Sequence, residues 1–222
     1  MKTPPSTTPR PPRFPKRLPA GSISALQDDG EYAALELSGC HLAGQSAARA
    51  VFDTLLFRKA VLGPSRLSKI RMTDCRLETS DLSGIDWEKA RFRRVEFVGC
   101  RIIGAQLLES EVEDALFKDC NLERAILASA KLRSVRFLHC SLREASFEYS
   151  DVSGAVFEDC DLTRADLRRA RMRGADLRGS TIDGVQAGPE EFSGVIVDSA
   201  QALQITGLLG LIIKEKGEDP FD

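Results

Sequence analysis

From Tyr32 to Ile182 every fifth residue is apolar and the phase never slips, through Leu37, Leu42, Ala47, Phe52, Phe57 and Leu62 to Phe97, Met172 and Leu177. A second column, two residues earlier, holds small or modest side chains such as Ala90, Ala105, Ala115, Ala125, Ala145 and Ala165, with Cys, Ser and Val among them. Neither ordinary element explains this period. A five-residue step on an α-helix turns the side chain through roughly 500°, which scatters the apolar residues over all sides, and an odd step on a strand alternates faces. The chain must therefore turn a corner about every five residues. Four corners close a square coil of about twenty residues, and stacked coils form a solenoid with the spacing of paired strands, about 4.8 Å.

A square coil requires residues twenty apart to stack and to match in kind. One such column reads Phe57, Leu77, Phe97, Phe117, Phe137, Phe157, Leu177, another reads Leu42, Leu62, Leu82, Ile102, Leu122, Leu142, Leu162, Ile182, and Cys100, Cys120, Cys140 and Cys160 form a third. At this point a resemblance becomes specific. The stretches FKDCNLERAIL, FLHCSLREASF and FEDCDLTRADLRRA resemble the A(D/N)Lxx repeat of the bacterial pentapeptide repeat proteins. The resemblance implies an all-β fold, a right-handed quadrilateral β-helix whose central Leu or Phe points into the coil with the small residue two positions before it.

Three segments are expected: a Pro-rich basic leader over 1–20, the solenoid over 21–198, and a C-terminal capping helix and tail over 199–222. The repeat weakens across residues 44–70, around Ala47 and Pro64, where a helix or loop is expected to interrupt the coil. The leader carries seven of the ten prolines and five basic residues with no acidic one. Proline density favours extended polyproline-like states and the segment has little apolar surface to offset ordering entropy, so disorder is expected there. A basic tether to an anionic surface is its functional alternative.

The chemistry of the chain points away from catalysis. Only His41 and His139 are present, no glycine-rich phosphate loop occurs, and no nucleophile and base fall into a recognisable constellation. All six cysteines share one position of the pentapeptide, two before a central residue. That places them along a line inside the coil, whereas a metal needs ligands converging on one point, so no metal and no cofactor is expected. Free buried cysteines behave as small hydrophobes and imply a reducing, cytoplasmic compartment. No apolar run approaches the length of a membrane span, and nothing at the N-terminus reads as a signal peptide. Asp81, Asp151, Asp161, Asp166 and Asp176 stand just before central residues, where turn hydrogen bonding explains them.

Function then falls to the outer surface. Arg91, Arg93 and Arg94 are followed one coil later by Glu111, Glu113 and Asp114, then Lys131 and Arg133, Asp151, and Arg171 and Arg173. This alternation predicts ion pairs between neighbouring coils, a ladder that stabilises the stack. Outward apolar residues at Val98, Ile103, Leu108, Leu116, Ile126 and Leu138 form a candidate patch for an unidentified protein partner. Some members of the resembled family, the quinolone-resistance proteins, resemble duplex DNA and act on DNA gyrase. Such mimicry needs a sustained acidic face. Beyond the leader 26 basic residues stand against 33 acidic ones, a net of −7, and an Arg-rich coil around Arg164, Arg168, Arg169 and Arg171 interrupts any acidic stripe.

The segment SGVIVDSAQALQITGLLGLII is similar to the C-terminal segment of the quinolone-resistance proteins, which caps the solenoid and mediates dimerisation. Asp198 or Ser199 can cap a helix, Gly207 and Gly210 end it, and Ala202, Ile205, Leu208, Leu209 and Ile212 supply an apolar stripe for cap or homodimer contacts. The sequence-level reading is a noncatalytic interaction scaffold, with a gyrase or topoisomerase mimic as the alternative. No membrane and no direct nucleic-acid binding are expected.

Overall fold

Corners recur at every fifth residue as single left-handed backbone conformations: Asp74, Thr79, Gly84, Lys89, Arg94, Gly99 and Gly104 all have φ between 49° and 66°. Most of these are not glycine, and each such residue costs energy that only a surrounding ladder can offset. The ladder is dense. Asn121 N–H donates to Cys100 C=O at 3.0 Å, and Leu122 N–H donates to Ser141 C=O at 2.8 Å, so each coil bonds to the one before and the one after. The Asp and Asn residues before the central positions brace the turns, as Asp161 Oδ1 accepts Thr163 N–H at 2.9 Å and Asn121 Oδ1 accepts Glu123 N–H at 2.9 Å.

The computed structural model describes residues 8–208, 210 and 211. Seven strands, β1 (Glu31–Ser38), β2 (Val51–Arg58), β3 (Arg71–Glu78), β4 (Arg91–Val98), β5 (Glu111–Lys118), β6 (Lys131–Leu138) and β7 (Val156–Glu158), pair in sequence order as one parallel sheet. Register is twenty residues throughout, with Phe97 on Phe117 and Phe117 on Phe137. From β2 to β6 each strand bends at its fourth residue into two sides of the coil, and isolated bridges such as Asp81 to Arg101 and Asp86 to Gln106 form the other two. The result is a four-sided β-solenoid.

The central side chains fill its interior. The rings of Phe97, Phe117, Phe137 and Phe157 stack with centroids 4.7, 4.9 and 5.0 Å apart, and Trp87 packs edge-on against Phe92 at 5.1 Å. The cysteines behave as packing groups, since Cys100, Cys120 and Cys140 donate Sγ–H to the carbonyls of Leu77, Phe97 and Phe117.

Two expectations change. The coil continues through residues 44–70: β2 lies within them, Ser46 bridges Arg66, and Ala47 is a buried, smaller occupant of the central column. Pro64 stands at a corner, where its carbonyl still accepts Gly44 N–H. Residues 8–20 are not a disordered leader. Ala20 bridges Glu36, and the preceding residues lie against the solenoid, because polar partners on its surface offset the entropy of ordering them.

At the far end α1 (Ser199–Leu208) closes the stack. Asp198 Oδ1 accepts Gln201 N–H and Gln201 Oε1 accepts Asp198 N–H, both at 3.0 Å, a reciprocal capping box. Gly210, at φ 69°, and the bond from Leu211 N–H to Thr206 C=O end the helix. No helix among the described residues is long and apolar enough to cross a membrane.

Candidate interaction surface

At the bend of β3, β4 and β5 the column of left-handed residues reads Asp74, Arg94, Asp114. Corner side chains such as Thr79, Lys89, Asp119 and Arg124 are exposed and Thr54 and Ser134 of this column are half-buried, yet these three are only 7%, 8% and 4% exposed. The N-terminal strap covers them. Asp114 Oδ2 accepts Arg10 Nε–H at 2.7 Å, Asp114 Oδ1 accepts the Arg10 main-chain N–H at 3.3 Å, and Asp74 Oδ1 accepts the Arg13 main-chain N–H at 2.8 Å. Arg94 lies between the carboxylates and grips Asp74 through Nε at 2.6 Å and a terminal nitrogen at 2.5 Å.

The strap runs along the axis of the solenoid. Phe14 to Leu18 and Ala20 border a cavity with Glu36, Ser38 and Leu56 at the first coils, whereas Thr8 and Pro9 border another with Arg136, Val156 and Glu158. Pro9 and Pro12 are half-buried while Arg10 and Arg13 face water, an alternation that a three-residue period produces. Charge complementarity holds the site. The Arg94 guanidinium keeps the Asp74 carboxyl below its ordinary range, helped by the Arg13 amide, and Asp114 raises the already high pKa of Arg10.

The predicted apolar patch is divided. Val98, Leu116 and Leu138 lie on the side next to this column, but Lys118 stands in register between Val98 and Leu138, and Leu116 stands between Glu96 and Arg136. Ile103 occupies the following side, and Leu108 and Ile126, the two exposed members at 37% and 38%, the side after that. No single face gathers all six. In the C-terminal group Ile205 packs against the core, Ala202 is exposed, and Leu208 ends α1. Leu209 and Ile212 lie outside the described residues. Leu203 and Leu211, at 62% and 57% exposed, are the large apolar residues that this end presents to solvent among the described residues.

Elsewhere the charge ladder is present. Lys131 meets Glu111 at 3.3 Å, Arg171 meets Asp151 at 3.2 Å, and Arg124 meets Glu144 at 2.8 Å, each one coil apart. A shallow cavity of about 240 Å³ on the β3–β6 side is lined by Arg71, Arg91, Arg93, Lys131 and Arg133 together with Glu111 and Glu113, so basic side chains predominate there. No group of residues that could hold a metal ion occurs among the described residues. Burial pushes the Cys75 thiol up to about 12.

Sequence reasoning counted Arg94 and Asp114 among exposed ladder charges and missed the strap site. The signal lay in the leader, where Pro9, Pro12 and Pro15 and then Arg10, Arg13 and Lys16 recur at three-residue spacing.

The chain matches two family profiles, one described as a pentapeptide repeat region over residues 70–147 and one as pentapeptide repeats over residues 140–179. Among solved structures, a trypsin-treated form of QnrB1, a plasmid-mediated fluoroquinolone resistance protein, is 20% identical, with 81% of this chain and 100% of that chain covered and a TM-score of 0.42. HetL, a pentapeptide repeat protein involved in heterocyst differentiation regulation from the cyanobacterium Nostoc, is 22% identical over 78% of this chain and 91% of its own, with a TM-score of 0.35. No curated protein matches the chain.

Proposed function

Because this chain belongs to the pentapeptide repeat family, we propose that it is a noncatalytic scaffold that binds protein segments along the outside of its solenoid. One observation carries this reading: the solenoid already holds an extended polypeptide, its own residues 8–20, on a column of buried charged side chains. Twenty-residue register repeats outward groups at the spacing of strands, which suits recognition of an extended chain laid along the axis. Homodimerisation through the C-terminal end belongs to the same proposal, with Leu203, Leu211 and Ile205 as its apolar groups.

DNA mimicry of the kind directed at gyrase is weakly supported, since acidic side chains on the surface are paired with arginine or lysine one coil away. A neutralised ladder does not reproduce the field of a polyanion. The test has two parts. Purified full-length protein is added to a gyrase supercoiling assay with and without a fluoroquinolone, and partners captured by affinity purification are reconstituted from purified components. Scaffolding predicts no effect on supercoiling and a stoichiometric complex with a partner. Inhibition or drug protection at stoichiometric protein would replace it with the mimic.

A further inference from the structure

We propose that the Asp74–Arg94–Asp114 column is a recognition site for an arginine-flanked polyproline segment, Arg-Pro-Pro-Arg, with residues 10–13 as its resident and displaceable ligand. This rests on the scaffold reading and names the ligand class of one of its surfaces. The argument begins with a match of two repeats. Asp74 and Asp114 are two coils apart, about 9.6 Å at the spacing of paired strands. Arg10 and Arg13 are three residues apart, about 9.3 Å along a polyproline II helix, which returns to the same side every third residue. A β-strand of similar length would put the two amides on opposite edges. An α-helix would span about 4.5 Å over the same three residues and would miss the second carboxylate.

The intervening residues fit the same conformation. Pro11 and Pro12 fix their own φ, and each confines the residue before it to extended backbone. Neither carries an N–H, so the only main-chain donors of the four-residue motif are those of Arg10 and Arg13. Each of them meets a carboxylate, at 3.3 and 2.8 Å. The site thus satisfies every donor that the motif's backbone offers.

The receptor side is preorganised. Arg94 fixes Asp74 through two bonds and stands beside Asp114 in the column, whereas Asp114 takes its bonds from the ligand, the main-chain N–H and the Nε–H of Arg10. Arg10 keeps 54% of its side chain exposed, which makes the contact easy to exchange. A partner segment of the same chemistry can take the place of the leader, and attachment in cis makes the leader its competitor.

Displacement is tested with the full chain. A labelled peptide of residues 8–18 is titrated into wild type and into Pro11→Gly/Pro12→Gly, whose own leader has lost its preorganised shape. Saturable binding to the double variant at least tenfold tighter than to wild type is expected. Adding Asp114→Asn to the double variant should weaken binding at least tenfold, and a scrambled peptide of the same composition should not bind. Equal binding of the scrambled peptide, or indifference to Asp114→Asn, would overturn the proposal. Limited trypsin digestion supplies a second reading that depends on no added peptide. Cleavage after Arg13 should be at least fivefold faster in Arg10→Ala than in wild type, and equal rates would also count against the site. Since these measurements use a synthetic peptide, their failure leaves partner reconstitution standing, and failure to find a partner leaves the peptide result standing.

Discussion

Arg94 and Asp74 form a two-bond ion pair at a solenoid corner, with each side chain only 10% exposed. A buried pair contributes little net stability relative to a well-packed apolar one, yet a lone survivor is costly. Arg94→Ala should therefore destabilise by about 3 kcal/mol by leaving the Asp74 charge uncompensated, whereas Arg94→Met with Asp74→Leu should recover most of the loss. Urea unfolding of the two variants checks the contrast. Equal losses would show that the charges are solvated.

Acid should act through the carboxylates that arginine holds in the charged form. Asp74 is held down by Arg94, Asp166 by Arg168 and Asp176 by Arg178. A carboxyl with a depressed folded pKa adds stability above its unfolded value, ordinarily about 3.9, and loses it as pH falls through the lower folded value. Melting temperature should stay level from neutral pH down to about 5, begin to fall near pH 4 and fall steeply below it. Asp176→Asn should flatten that descent, and an unchanged profile would contradict the assignment.

Phe117 lies between two stacked rings, Phe97 at 4.7 Å and Phe137 at 4.9 Å. Phe117→Ala should cost about 3–5 kcal/mol in thermal or urea unfolding through lost burial and the cavity left behind. Phe117→Leu should cost far less, because Leu77 and Leu177 occupy the same column in other coils. Leu122→Asp and Phe137→Asp should prevent folding, since no partner for a charge exists inside the coil. A melting temperature near that of wild type in either Asp variant would refute the inward assignment.

Two glycines should respond in different ways. An alanine Cβ at Gly63 would collide with the Ser83 carbonyl oxygen of the next coil, whereas at Gly104, with φ of 63°, the space is open. Gly104→Ala should cost about 1 kcal/mol, the strain that Arg124 and Ser129 already bear at equivalent corners. Gly63→Ala should lower the melting temperature several times more, because the obstacle is backbone in the ladder.

The C-terminal closure can be read through Gln201, whose Nε2 donates to Leu177 C=O at 2.6 Å and Ser180 C=O at 2.7 Å. Gln201→Ala should leave the Ser180 carbonyl unpaired, since Leu177 C=O still accepts Ser180 N–H, and cost about 1–3 kcal/mol. Hydrogen exchange should localise the loss to the last coil. Exchange that rises evenly over all coils would rule out a local cap.

The coil was legible in the sequence because its cause is local and repeated. Five-residue periodicity in Leu82, Trp87, Phe92 and Phe97 admits few backbone paths, and the twenty-residue match of Phe117 with Phe137 fixes how those paths stack. Asp198 and Gly210 likewise marked the ends of α1 by their own chemistry, whereas Gly207, also expected to end it, lies within the helix. Continuity through Ala47 and Pro64 was not legible, because the ladder tolerates a small central residue and a missing donor when neighbouring coils supply the rest.

Sequence by itself determined the solenoid, its register and the alternation of charge, since each follows from side chains a fixed number of residues apart. Tertiary structure decided what covers the corner of β3 to β5. The bonds from Arg10 to Asp114 and from Arg13 to Asp74 join residues 104 and 61 positions apart, and no period links them. Whether a proline-rich leader is ordered depends on the carboxylates it meets. Only the folded coil brings Asp74 and Asp114 to the spacing of its amides.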